Sequence, residues 1–168
     1  MIKHDNCRNF LEPEFFANSF FSLTIWWHDE LIRCILLNRP PETGIQTARP
    51  RTYSRIIACG MLLYEKSQPF AWPLPPLEWS SVSEFSRDIL STLLLTTGFG
   101  RTTTYGTLAC MAGHPGAARA VGRTMASNPW PVLIPCHRVL AAGNRLGGFS
   151  SGLELKKTLL TLEGLSSL

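Results

Sequence analysis

Four prolines, Pro69, Pro73, Pro75 and Pro76, fall within eight residues near the middle of the chain. Each fixes φ and lacks a backbone N–H, so neither a helix nor a central strand can run through them. They divide the 168-residue chain at a linker expected at about 67–80. The expected organisation is a small N-terminal domain, residues 1–80 with the linker, and a C-terminal domain, residues 81–168. Together these bury roughly two-thirds of the surface an unfolded chain exposes, enough for a real core.

The first part reads as mixed α and β. Phe20–Trp27 and Leu31–Asn38 are β-rich runs around the polar turn His28-Asp29-Glu30, a hairpin signature. Phe21, Leu23, Ile25 and Trp27 alternate, as one buried face requires. Residues 39–51 hold Pro40, Pro41, Gly44 and Pro50 and read as a loop. Thr52 is placed to cap a helix with Tyr53, Ile56, Ile57, Met61 and Tyr64 on one face.

The second part reads as helical. Ser81-Val82-Ser83-Glu84 fits a capping box ahead of the stripe Val82, Phe85, Ile89 and Leu93. A loop over 96–103 leads to a short helix at about 104–112 that stops at Gly113. Pro115 suits the first turn of the next helix, with Ala118, Val121, Gly122 and Met125 on one face, ended by Asn128-Pro129. Two short helices around a Gly-His-Pro turn make a helix-turn-helix candidate. Ser151-Gly152-Leu153-Glu154 fits a second capping box, opening a last helix with Leu155, Leu159 and Leu162 and with Gly164 past its end.

Charge separates the two parts further. Residues 1–80 carry eight basic and eight acidic side chains, residues 81–168 eight basic and four acidic, so the net charge of +4 belongs to the second part. No acid occurs between Asp88 and Glu154, while Arg101, Arg119, Arg123, Arg138 and Arg145 do. Such a face suits a polyanion, nucleic acid first; a solvated basic surface is the plainer alternative.

A hydrophobic content of 45% excludes a disordered chain. No apolar run approaches the roughly 18 residues of a membrane span. Asp5, Glu12 and Glu14 interrupt the place where a signal peptide would have its apolar core. A cytoplasmic protein, or a nuclear one in a eukaryote, is expected. Cys7, Cys34, Cys59, Cys110 and Cys136 are odd in number and lack CxxC spacing, so reduced thiols are expected. Cys59 and Cys110 are assigned to core packing. His4, Cys7, His28 and Cys34 match no standard zinc spacing, and no metal or cofactor is expected.

One segment concentrates chemistry. Pro131-Val132-Leu133-Ile134-Pro135-Cys136-His137-Arg138-Val139 is an apolar, strand-like run that delivers a cysteine flanked by proline and histidine. A free cysteine titrates near 8.5, and His137 and Arg138 both favour thiolate. A buried structural cysteine is the alternative. Neighbours in an extended segment point to opposite faces, so His137 needs a bend or a bridging water to reach Cys136. A carboxylate usually orients such a histidine, and this part offers only Glu84, Asp88, Glu154 and Glu163.

The run Ile134-Pro135-Cys136-His137-Arg138-Val139 resembles the active-site motif of the O6-alkylguanine-DNA alkyltransferases. The resemblance extends, in order and spacing, to Tyr105-Gly106-Thr107-Leu108-Ala109, Ala117-Ala118-Arg119-Ala120-Val121-Gly122, Asn128-Pro129, Gly147-Gly148-Phe149 and Lys156…Leu162-Glu163-Gly164. It covers about residues 82–164; residues 1–80 resemble the family's variable N-terminal domain only in outline. It implies an RNase H-like α/β domain followed by a winged-helix-like helix-turn-helix domain.

The resemblance also implies a single-turnover transfer of an alkyl group from O6 of guanine in duplex DNA to Cys136. His137 would act as base through a water, Glu163 would orient it, and Asn128 would brace the turn that holds the segment. O6 of a stacked guanine lies beyond a buried thiol's reach, so the base must leave the stack. Arg119 would fill its place from the minor groove, with Arg123 and the small Ala118 on the same DNA-facing helix. Tyr105 would turn the phosphate, contact the base and give the leaving guanine a proton. Val139, Phe149, Ser150 and Trp130 would wall the pocket, the Trp130 ring either narrowing its mouth or merely packing. Phe149 stands where many members have tyrosine, Ser151 where glycine is frequent, and Trp130 where an aliphatic residue is usual. The implied partner is double-stranded DNA carrying O6-alkylguanine, with O4-alkylthymine as a second candidate lesion, bound by a monomer. Two other readings compete: a non-transferring DNA-binding module of the same fold, and a cysteine hydrolase using Cys136 and His137, which would need an oxyanion hole.

Overall fold

A computed structural model describes residues 13–40 and 51–166. The order is β1 (Glu14–Ala17), β2 (Ser22–His28), β3 (Leu31–Asn38), α1 (Thr52–Glu65), α2 (Glu84–Thr96), β4 (Thr103–Thr104), α3 (Tyr105–Met111), α4 (Ala118–Ala126), β5 (Val139–Leu140) and α5 (Leu153–Leu162). Strands β1, β2 and β3 form an antiparallel sheet, and β4 pairs with β5 in parallel. The architecture is thus a small sheet combined with helices, as expected at that level.

The expected hairpin is β2–β3, and Leu23, Ile25 and Trp27 face inward from β2. Strand β1, buried through Phe16, adds to the expected hairpin, and its turn into β2 is made by Asn18, whose Oδ1 accepts from the N–H groups of Phe20 and Phe21 at 2.9 Å. In α1, Tyr53, Ile57, Met61 and Tyr64 are buried, as the helical period predicts. Cys59 lies on the other side of that helix, and it and Cys110 are exposed, against the expectation of core packing. Cys34 is disulfide-bonded, which corrects the expectation of reduced thiols; spacing does not report which side chains meet. His4 and Cys7 lie outside the described residues. Among the described residues no group of three or more His, Cys, Asp or Glu side chains could hold a metal, and no helix is long and apolar enough to cross a membrane.

Four helix starts differ from expectation. Arg51, not Thr52, is the N-cap of α1. Ser81 belongs to a 3-10 turn, Trp79–Ser81, and Ser83 caps α2 by accepting from the N–H of Ser86 at 3.3 Å. Gly152, at φ 92°, precedes α5, a backbone that Ser151 would adopt only with strain. Gly116, at φ 82°, likewise keeps Pro115 outside α4, which begins at Ala118.

The proline-rich segment has no helix, but it is strapped down. The N–H of Ile32 donates to Pro76 at 2.6 Å, the N–H of Glu78 donates back to Ile32 at 3.0 Å, and Leu77 bridges Ile32 in parallel. One hydrophobic core then runs through both parts of the chain, from Leu23, Ile25 and Ile57 to Leu93, Val121 and Leu159. The Trp130 indole N–H reinforces this join by donating to the Ile32 carbonyl at 2.8 Å.

Candidate active site

The polypeptide from Trp130 to Arg138 is buried without interruption. Within it Val132 adopts φ 74°, a left-handed conformation unusual for a β-branched residue. Asn128 holds that bend from both ends. Its Oδ1 accepts from the N–H of Trp130 at 3.0 Å, and its Nδ2 donates to the carbonyl of Ile134 at 3.0 Å. The segment therefore arrives at Cys136 as a clamped turn, not as the extended run its composition suggested.

Cys136, His137 and Arg138 form a buried 3-10 turn. This is the bend that adjacency demanded. Burial pushes the Cys136 thiol up, and the Asn128 side chain and the Lys156 charge only partly offset it. The resting group is a thiol whose proton must be removed before sulfur can attack.

The ring of His137 is fully buried, and its Nε2 lies 2.8 Å from Oε1 of Glu163, the C-cap residue of α5. Burial also lowers the His137 pKa, against the pull of Glu163, so the imidazole is neutral at rest. Burial pushes the Glu163 carboxyl up, but the hydrogen bonds and charges of His137 and Arg138 outweigh it and hold it down to about 2. An ionised carboxylate only accepts, so Nε2 carries the proton and Nδ1 carries the lone pair. That Nδ1 is buried without a protein hydrogen-bond partner. A base is thereby formed from neutral imidazole.

Arg138 corrects one expectation. Its guanidinium donates to both oxygens of Glu163 and, through Nη1, to the carbonyl of Thr97 at 2.7 Å. Its charge is committed to the carboxylate, and the cation that acts on Cys136 is Lys156. Lys156 is buried, its Nζ donates to the carbonyls of Val139, at 2.7 Å, and Leu146, and burial lowers its pKa to about 8.

Tyr105 sits half-buried at the start of α3, with its hydroxyl against Gly147, where a Cβ would lie 3.2 Å away. Burial raises its pKa, and the Cys136 charge raises it further, which places it within electrostatic reach of the sulfur. Val139 is buried, Phe149 half-buried and Ser150 exposed. Trp130 does not line a pocket mouth: its ring is fully buried, 4.7 Å from that of Trp79, and its N–H is spent on the carbonyls of Ile32 and Arg33.

Helices α3 and α4 pack together through the turn at Gly113 and Gly116. Arg119 and Arg123 are exposed on α4, Ala118 is half-buried, and a Cβ built on Gly122 would meet nothing within 4 Å. The face is basic and low in relief, as close approach of a polyanion requires.

Sequence reasoning missed Tyr64, whose hydroxyl reaches this site from α1. The available signal was its chemistry: a tyrosine on an otherwise apolar buried face needs a partner for its O–H.

Residues 84–165 match the family described as 6-O-methylguanine DNA methyltransferase, DNA binding domain. A methylated-DNA–protein-cysteine methyltransferase of Homo sapiens is 44% identical over 95 residues, covering 55% of this chain and 46% of the relative. One of Mycobacterium leprae is 50% identical over 70 residues, 42% of each chain. The chain thus spans about half the length of the curated relatives it matches. Among solved structures, Mycobacterium tuberculosis OGT in complex with DNA superposes with TM-score 0.73 at 28% identity, covering 92% of this chain and 93% of that one. The O6-methylguanine-DNA methyltransferase of Pyrococcus kodakaraensis gives 0.70 at 25% identity, covering 90% and 98%.

Proposed function

We propose that this chain, whose residues 84–165 match the 6-O-methylguanine DNA methyltransferase, DNA binding domain family, repairs double-stranded DNA by accepting the alkyl group of O6-alkylguanine on Cys136, once per chain. The observation that carries this reading is the buried thiol of Cys136 beside a neutral His137 whose Nε2 is held by Glu163 and whose Nδ1 is left as an acceptor.

The bond that forms joins Sγ to the alkyl carbon, and the bond that breaks joins that carbon to O6. The thiol proton passes towards Nδ1 of His137, through a water. The Tyr105 hydroxyl gives the leaving guanine its proton, and the proton taken from sulfur restores the balance. Guanine departs neutral, the thioether is stable, and no cofactor enters.

DNA lies along α3 and α4. Arg119 takes the place of the extruded base, Arg123 meets phosphate, and Ala118 allows the backbone to approach the groove. Val139 and Ser150 contact the extruded guanine through their backbones, and Phe149 walls the alkyl pocket. Asn128 positions the segment by the clamp at Trp130 and Ile134. O4-alkylthymine is a second substrate candidate. The protein acts as a monomer, in the cytoplasm or in the nucleus of a eukaryote. Residues 1–80 are read as an RNase H-like α/β domain and 81–168 as a winged-helix-like one, supported by the β1–β2–β3 sheet with α1 and by the α3–α4 pair beside β4–β5.

Intact-protein mass after incubation with a duplex holding one O6-methylguanine tests the proposal. A gain of about 14 Da, mapped to Cys136 and absent in Cys136→Ala, is the expected result for transfer to a thiolate nucleophile. Lesion binding without mass gain would favour the non-transferring module.

A further inference from the structure

Tyr64 comes from the part of the chain that the family match does not cover, yet it ends inside the candidate site. Its ring is fully buried and wedged edge-on between Phe21, at 5.6 Å and 85°, and Phe99, at 5.4 Å and 68°. Its hydroxyl donates to Oε1 of Glu163 and stands 3.1 Å from Nε2 of His137. The oxygen it shares also accepts from His137 at 2.8 Å and from Nη2 of Arg138 at 2.9 Å, while Oε2 accepts from the N–H of Gly100 at 3.1 Å.

We propose that Tyr64 is a positioning residue of the alkyl-transfer relay, through which the N-terminal sheet and helix set the orientation and basicity of His137. The inference rests on the transfer reading above and adds to it a group from outside the C-terminal domain. The packing roles of Phe21 and Phe99 need only a ring, and phenylalanine would serve them equally well. The hydroxyl is what the ring contacts leave unexplained, and it lands on the one oxygen that orients the histidine.

The consequence for proton affinity follows from competition at that oxygen. Each additional donor draws electron density from the carboxylate and weakens its hold on the imidazole. Tyr64 therefore keeps His137 less basic than Glu163 and Arg138 alone would. The ionisable groups facing His137 are Glu163 and Lys156 from α5, Arg138 and Cys136 from its own turn, and Tyr64 from α1. Removing the hydroxyl leaves the other four in place, so the direction of the effect is set by Glu163, whose pull grows.

Two measurements on the full chain test this. One is the titration of the His137 imidazole nitrogens by NMR, which needs no substrate. The other is the pH profile of single-turnover transfer from free O6-benzylguanine, which needs no DNA. Tyr64→Phe is expected to raise the His137 midpoint by about half a pH unit or more and to move the acidic limb of the rate profile up with it. Phe21→Leu, which disturbs the same packing without touching the hydroxyl, is expected to leave the midpoint in place. An unchanged midpoint in Tyr64→Phe, whatever the rate, would overturn the proposal and reduce Tyr64 to packing. A wild-type protein that accepts no alkyl group from either O6-benzylguanine or the lesion duplex would instead overturn the transfer reading. The NMR titration distinguishes the two failures because it reads His137 directly.

Discussion

Arg138 and Glu163 meet in a desolvated fork, with Nε of the arginine 2.9 Å from Oε2 and Nη2 2.9 Å from Oε1. Their side chains are 5% and 0% exposed. Arg138 shares its 3-10 turn with Cys136 and His137, and the same carboxylate that orients His137 also neutralises this arginine. Burying both charges is tolerable only because each has a full set of partners: Thr97 for the arginine, and Gly100, His137 and Tyr64 for the carboxylate.

Glu163→Gln removes the charge and keeps the shape. Arg138 is then a buried cation without a counterion, and the fold is expected to lose about 3 kcal/mol, the range measured when one partner of a buried pair is removed. Denaturant unfolding checks that loss. In the same variant Nε2 of His137 no longer faces an anion, and transfer is expected to slow by about 100-fold, the scale of general acid–base assistance. Alkylation of Cys136 should still go to completion, which rapid-quench kinetics read directly.

Stability is expected to fall on the acid side in two stages. Burial keeps the folded His137 below its usual 6.5, so the unfolded chain binds that proton first and stability declines as pH drops through 6.5. Glu163 is held at about 2 against its usual 4.5. Its contribution is complete above 4.5 and is lost between 4.5 and about 2 as the carboxylate protonates. Urea midpoints measured from pH 8 downwards check the order, and Glu163→Gln should flatten the lower stage.

Arg119→Ala is expected to slow transfer from a lesion duplex far more than transfer from free O6-benzylguanine. Only the duplex requires a side chain to fill the space an extruded base leaves. Parallel rates on the two substrates decide the point, and equal slowing would remove Arg119 from base extrusion. Duplex affinity should also fall with rising salt, with a slope set by a few phosphate contacts.

Trp130→Phe tests the join between the two parts of the chain. The variant keeps a ring beside Trp79 but removes the indole N–H that donates to the carbonyls of Ile32 and Arg33, and the Ile32 carbonyl still accepts from the N–H of Glu78. A loss of about 1 kcal/mol is expected, the net worth of one intramolecular hydrogen bond. Substrate range should not change, because Trp130 is fully buried in that join and does not face a pocket.

Much of this protein was written locally. The alternation of Leu23, Ile25 and Trp27 determined the inward face of β2, and the helical spacing of Ile57, Met61 and Tyr64 determined that of α1. The proline cluster excluded a helix between the two parts, and the Pro-Cys-His-Arg run marked the candidate site. These are properties of neighbours, where backbone period and residue type suffice. Helix starts were less legible. Ser81 and Ser151 have the right chemistry for caps, but the backbone at Ser83 and at Gly152 decided where each helix begins. The site itself was decided by tertiary structure. Tyr64 and Glu163 are 99 residues apart, and His137 and Glu163 are 26 apart. No local pattern could show that Arg138 would be spent on Glu163, or that Trp130 would turn towards Ile32. Those pairings exist because the core of both parts packs as one body, and a buried charge or hydroxyl must then find its partner among whatever that packing brings within reach.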